Sequence, residues 1–155
     1  ANGTLQRNFQ GYSTHADCDL IGLGVSAIGK VGDSYSQSVK ELSQYYARLD
    51  QGLLPVHRGY RLSADDMLRR ELISDLMCHG RISFEKFETQ HGIRFTEYFA
   101  DALAQLDEHV SDGLLQIHED ALVLLPRGHL MMRSAAMAFD AYLGGEQKGQ
   151  FSRTV

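Results

Sequence analysis

The sequence predicts a mainly α fold with a small β-hairpin: a winged-helix-like helical domain behind a glycine-rich first segment. Three observations carry this expectation. Apolar residues recur at helical spacing from residue 60 onward, two short apolar runs flank Glu119-Asp120, and eight of the 15 glycines fall before residue 60. Ser63-x-x-Asp66 reads as a capping box with Asp in the place of Glu, and Met67, Leu68, Leu72, Ile73, Leu76 and Met77 follow at helical spacing. Gly80 is the expected stop. Ser83 starts a short helix with Phe84 and Phe87 on one face, closing near Gly92. Thr96 is expected to cap a third helix reaching Glu108, with Phe99, Leu103 and Leu106 as its apolar stripe. Residues 114–118 and 121–125 read as paired strands, Pro126 as a first-turn proline, and 130–143 as the last helix. Met131, Met132 and Met137 are expected to fill core gaps.

Composition narrows function. Among 155 residues, 43% are hydrophobic and 23% charged, which is globular rather than disordered. Two cysteines, Cys18 and Cys78, exclude a disulfide scaffold and any zinc or iron–sulfur site built from cysteines of this chain alone. The seven histidines show no H-E-x-x-H, and the three-residue spacing of His15 and Cys18 makes no complete ligand set. The uncharged stretch 20–28 is too short and too glycine-rich to span a bilayer, and no basic segment precedes it. A cytoplasmic protein with no membrane partner is expected. The overall charge is −5, and residues 60–144 hold eight basic against fourteen acidic residues. The segment 96–108 carries Glu97, Asp101, Asp107 and Glu108 and no Lys or Arg. A winged-helix-like order invites a DNA-binding reading, but acids at a phosphate backbone repel it, so no nucleic-acid partner is expected.

The expected domains are 1–59, 60–144 and a tail, 145–155, with the boundary near Gly59 just after Pro55. In the first, Asn8-Phe9-Gln10-Gly11-Tyr12-Ser13-Thr14 gathers an aromatic ring, an amide, a glycine and hydroxyls. Gly22 and Gly24 lead into Val25-Ser26-Ala27-Ile28-Gly29. Such glycines permit close backbone approach to a ligand, but no G-x-G-x-x-G is present. Read from the residues alone, 20–28 is a buried strand and turn of an α/β sheet.

The two motifs N-F-Q-G-Y-S-T and G-V-S-A-I-G, together with Val56-His57-Arg58-Gly59, Tyr98-Phe99-Ala100, Asp112-Gly113-Leu114, Pro126-Arg127-Gly128 and Phe151-Ser152-Arg153, carry a resemblance across essentially the whole chain. It resembles the oxygen-independent coproporphyrinogen III oxidase (coproporphyrinogen dehydrogenase) family of radical S-adenosylmethionine enzymes. The family's cluster-binding C-x-x-x-C-x-x-C is absent, so the chain looks like the C-terminal portion, beginning within the barrel domain. The resemblance implies that residues 1–59 are late strands and a crossover of a partial α/β barrel. It also implies an oxidative decarboxylation that turns two propionates of coproporphyrinogen III into vinyls, giving protoporphyrinogen IX in haem biosynthesis. A [4Fe–4S] cluster held elsewhere in the parent enzyme and S-adenosyl-L-methionine would be the cofactors. The partners would be the substrate and the missing N-terminal barrel domain, and the fragment alone is expected to be inactive.

The family's S-adenosylmethionine contacts carry over to Phe9, Gln10 and Ile28, with Gly29 standing where a serine-like residue is expected. Gln10 can donate and accept hydrogen bonds, while Phe9 and Ile28 offer apolar wall. Tyr12, Tyr35, Arg58 and Arg61 lie on or near the segment expected to pass the active-site mouth, where guanidinium groups suit propionates; solvated surface arginines are the plain alternative. Two other readings stand beside the oxidase: a haem-binding or haem-handling paralogue of the family, and an acidic protein-docking module.

Overall fold

The computed structural model describes residues 5–8, 11–15 and 18–143. Phe9, Gln10 and the expected tail, 145–155, lie outside the described residues. Two compact units are present, Ala1–Arg70 and Glu71–Val155.

The first unit is mostly sheet. β1 (Gln6–Asn8) and β2 (Gly11–Ser13) form an antiparallel hairpin, with Asn8 opposite Gly11. β3 (Ile28–Val31), β4 (Ser34–Ser38) and β5 (Val56–Arg61) form an antiparallel sheet in the order β3-β4-β5. β3 and β4 meet through the two-residue turn Gly32-Asp33. Gly32 has φ +55° at the first central position, where a side chain would be strained. Helix α1 (Leu42–Asp50) connects β4 to β5, and Arg48 Nη1 donates to the carbonyl of Val56 at 2.7 Å, fixing the start of β5.

Several expectations change here. A mainly α fold becomes a mixed α/β one, because five of the eight described strands precede residue 62. Every strand pair among the described residues is antiparallel, whereas late strands of an α/β barrel would pair in parallel. Nor is 20–28 a buried strand. Leu20 pairs only as a bridge to Lys30 and Ile28 only as the first residue of β3, while Ile21 and Leu23 between them are 75% and 85% exposed. The glycines explain this: Gly24 has φ +103° and Ser26 φ +59°, so the chain turns where a strand would run straight. Gly59, the expected boundary, pairs with Ser36 inside β5.

β5 leads directly into α2 (Ala64–His79) through the capping box. The Asp66 amide donates to Ser63 Oγ at 3.1 Å, and the Ser63 amide and hydroxyl both donate to Asp66 Oδ2 at 2.8 Å. Tyr60 of β5 donates its hydroxyl to the same carboxylate oxygen at 3.2 Å. Asp66 is buried, yet its charge is met by donors from both sides.

The second unit holds an aromatic core. β6 (Arg81–Ser83), β7 (Leu115–Ile117) and β8 (Ala121–Leu124) pair antiparallel in the order β6-β8-β7. α3 (Phe84–His91) follows β6, and its Phe84 stacks on Phe95 with centroids 4.3 Å apart. The expected single helix 96–108 is broken into α4 (Phe95–Tyr98), α5 (Ala100–Ala104) and α6 (Asp107–Ser111). Phe99 and Leu106 sit at the breaks with ψ 22° and 0°, outside helical values, and both side chains are fully buried. Burial of each, worth about 1.5–3 kcal/mol, outweighs the hydrogen bonds a straight helix would keep. Thr96 caps nothing; Glu88 Oε1 accepts from the Phe95 amide at 2.8 Å instead. The last helix is likewise shorter than 130–143: a 3-10 turn, Gly128–Leu130, precedes α7 (Met132–Met137). Phe139, just beyond, packs edge-on against Phe99 at 5.6 Å. Met131 and Met137 are about half exposed rather than core.

Gly128 is the tightest point. The Leu125 amide donates to the Leu114 carbonyl at 2.8 Å, and a Cβ on Gly128 would be driven into that same carbonyl. Gly128→Ala should therefore lower stability by about 3 kcal/mol through backbone overpacking. Gly113→Ala, with φ +66° but open space around the added carbon, should cost only about 1 kcal/mol. Urea unfolding of the two variants checks the order, and an equal or reversed loss would contradict this packing.

Candidate functional site

The period of two in Ser34-Tyr35-Ser36-Gln37-Ser38 sorts the sheet of the first unit into two unlike faces. Ile28 lies opposite Gln37 and Gln37 opposite Arg58; one rung along, Lys30 lies opposite Tyr35 and Tyr35 opposite Tyr60. These six share one face. The reverse face carries Gly29, Ser36 and Gly59, then Val31, Ser34 and Arg61. Only small residues fit the first of those reverse rungs: a Cβ on Gly29 would stand 3.0 Å from the Leu20 carbonyl and 3.2 Å from Ser36 Oγ. Segment 20–22 is drawn against β3 by Leu20 and Lys30, whose amides exchange bonds of 2.7 Å. A Cβ on Gly22 would meet the Ile28 carbonyl at 2.6 Å.

The polar face is ordered by a short relay. Arg58 Nε donates to Gln37 Oε1 at 2.9 Å, and Gln37 Nε2 donates to the Ser26 carbonyl at 3.4 Å. Ser26, a non-glycine residue with φ +59°, is held by its own amide, which donates to the Val39 carbonyl at 2.9 Å. Left-handed backbone at such a residue costs about 1–2 kcal/mol, and strain of this kind gathers at binding sites. The face thus offers one apolar side chain, two aromatic rings, an amide and two cations.

Of the residues singled out in the sequence, Ile28 is half-buried at the head of β3, while Phe9 and Gln10 lie outside the described residues. Tyr35 and Arg58 share the face with Ile28. Tyr12 does not belong to this sheet; it sits on β2 with the Arg7 guanidinium 6.0 Å from its ring centre. Arg61 points to the reverse face and is bound to Asp33 at 2.8 Å. Lys30 and Gln37 were not apparent as site residues, although the alternation of β4 is the signal that places Gln37. His91 bonds Glu71 at 3.2 Å and His109 bonds Ser134 at 3.0 Å, both within the second unit. Among the described residues no three His, Cys, Asp or Glu side chains converge as metal ligands, and no helix is long and apolar enough to cross a membrane.

Comparison with known proteins adds a relationship to this geometry. The model of the HemN C-terminal domain family matches residues 62–131. The oxygen-independent coproporphyrinogen III oxidase of Pseudomonas aeruginosa is 44% identical over 154 residues, covering 99% of this chain and 34% of that protein. That of Escherichia coli K12 is 42% identical over the same length and share. The solved coproporphyrinogen III oxidase of Escherichia coli, described as a radical SAM enzyme, superposes with a TM-score of 0.87 at 42% identity. The superposition covers 90% of this chain and 32% of that one. The chain spans about a third of the length of these relatives.

The Arg61 hydrogen bond, and then its charge, hold the Asp33 carboxyl below the usual carboxylate range. The carboxylate form is thereby favoured, so the pair is intact at neutral pH and is lost as acid protonates Asp33. Arg61→Gln should return Asp33 to the ordinary range, as a site-resolved carbon-13 titration would show. An unchanged titration would mean that the pair does not form in solution.

Proposed function

This chain corresponds in sequence and fold to the C-terminal third of the oxygen-independent coproporphyrinogen III oxidases, which are radical SAM enzymes, and on that premise we propose that it supplies one wall of their active site. The reaction is the oxidative decarboxylation of two propionates of coproporphyrinogen III to vinyls, yielding protoporphyrinogen IX in haem biosynthesis. The observation that carries this reading is the likeness to the Pseudomonas aeruginosa enzyme over 99% of the chain. Bound S-adenosylmethionine and a [4Fe–4S] cluster supply the radical abstraction of hydrogen. The chain has two cysteines, Cys18 in one unit and Cys78, beside Ser74 Oγ at 4.0 Å, in the other, too few for a cluster's ligands, which we assign to another part of the enzyme.

This chain's part is binding. Ile28 gives an apolar surface to the cofactor, Phe9 a second one, and Gln10 hydrogen bonds in both directions. The polar face around Ile28 supports such a role, because a nucleoside needs apolar contact and fixed polar groups side by side. Residues 60–144, read as winged-helix-like, hold eight basic against fourteen acidic residues, a balance suited to protein docking rather than to nucleic acid.

The test uses the full-length protein that carries this segment, loaded anaerobically with its cluster. Coproporphyrinogen III should be converted to protoporphyrinogen IX only when S-adenosylmethionine is present. Ile28→Asp should weaken S-adenosylmethionine binding without loss of cluster absorbance, because it sets an unpaired charge on an apolar wall. Stoichiometric haem binding with no conversion would replace the oxidase reading with the haem-handling one.

A further inference from the structure

The proposed reaction needs groups that hold the substrate's carboxylates, and the sheet separates its cations into used and available ones. Arg61 is committed: it lies on the reverse face, bound to Asp33. Arg58 and Lys30 are not. Both stand on the Ile28 face, and neither has a carboxylate partner among the described residues. Asp66, which accepts from Tyr60 of this face, is already taken by Ser63 as well, and Asp33 of the β3–β4 turn is held by Arg61.

We propose that Arg58 and Lys30 are substrate-binding residues, each taking one propionate of the same coproporphyrinogen III molecule, so that the macrocycle lies across Tyr35 and Gln37 with its edge toward Ile28. This assignment rests on the function proposed above and names the residues that would carry its specificity.

Geometry supports the division of labour. The two residues are two strands and one rung apart, about 12 Å between backbones given the usual strand spacing and rise. Side chains so placed reach two carboxylates of one broad ligand more readily than a single carboxylate. Arg58 is also prepared for its task. Its Nε is engaged by Gln37, which leaves the two terminal nitrogens to meet a carboxylate as a fork. Holding the guanidinium beforehand reduces the rotamer freedom lost on binding. Between the cations, on the middle strand, Tyr35 sets an aromatic ring where a pyrrole ring can stack, with Tyr60 next to Arg58 on β5. Coproporphyrinogen III carries four propionates, so two bound at this face leave two for the chemistry.

The experiment compares Arg58→Gln, Arg58→Lys, Lys30→Gln and Arg61→Gln in the full-length, cluster-loaded enzyme. Arg58→Gln should raise KM for coproporphyrinogen III about tenfold or more, as loss of a charged hydrogen bond implies. Its kcat and its affinity for S-adenosylmethionine should stay within about twofold. Arg58→Lys should recover part of the loss by keeping the charge without the fork. Lys30→Gln should raise the same KM by a smaller factor, and Arg61→Gln should leave it unchanged. An unchanged KM in Arg58→Gln and Lys30→Gln, with a wild-type enzyme that turns over, would overturn this assignment alone. A rise confined to KM for S-adenosylmethionine would overturn it by placing the arginine on the cofactor. A wild-type enzyme that forms no protoporphyrinogen IX would overturn the proposed function and this assignment together.

Discussion

The strand register of the first unit is the constraint on which the site depends. A sheet alternates its side chains between faces, so a slip of one residue would exchange every group on one side for those on the other. In the observed register Ile28, Gln37 and Arg58 form one row, and Gly29, Ser36 and Gly59 the row behind it. A slip of β5 alone would pair Arg58 with a serine and send its guanidinium to the glycine side. Several local devices prevent this. The Gly32-Asp33 turn sets β3 against β4, and the Asp33–Arg61 bond ties the turn to the end of β5. Arg48 holds the first carbonyl of β5, and Tyr60 is drawn to the carboxylate that caps α2. The shift between Gln37 and Ser38 confines the irregularity of the ladder to the end away from Tyr60.

The two units are stabilised by different means. The second is organised by burial: Phe87, Phe95, Phe99 and Phe139 are at most 1% exposed, and Leu72, Leu76, Ile82, Leu106, Leu115 and Leu122 are wholly covered. In the first unit Val39 and Leu68 are the only buried large apolar side chains among the described residues, while Leu23 and Leu54 are 85% and 79% exposed. Its order therefore rests on backbone ladders and directional bonds such as the capping box, each worth about 1 kcal/mol. Directional bonds fix orientation well, which holds the polar groups of the Ile28 face at set positions.

Much of this was legible in the sequence, for identifiable reasons. Ser63-x-x-Asp66 forms the predicted capping box because the interaction is local, complete within four residues. The hairpin around Glu119-Asp120 is likewise local, and β7 and β8 fall inside the expected runs. Long-range competition explains the failures. Segment 96–108 has good helical spacing, yet Phe99 is drawn to Phe95 and Phe139, and the helix yields. β6 was missed because three residues beside a helix stop give no period; its pairing with β8, some forty residues on, creates it. The apolar look of 20–28 suggested a buried strand, but Gly24 and Ser26 turn the chain. Within the site, Ile28, Tyr35 and Arg58 were apparent as separate residues. Their common face was not, since it follows from cross-strand register and not from spacing along the chain.

That register can be read without substrate or cofactor. Nuclear Overhauser contacts between backbone protons of the isotope-labelled chain report which residues face one another across β3, β4 and β5. Contacts from Gln37 to Ile28 on one side and to Arg58 on the other are the predicted result. Contacts that instead set Arg58 against Ser36 or Ser38 would place its side chain on the glycine face and contradict the account.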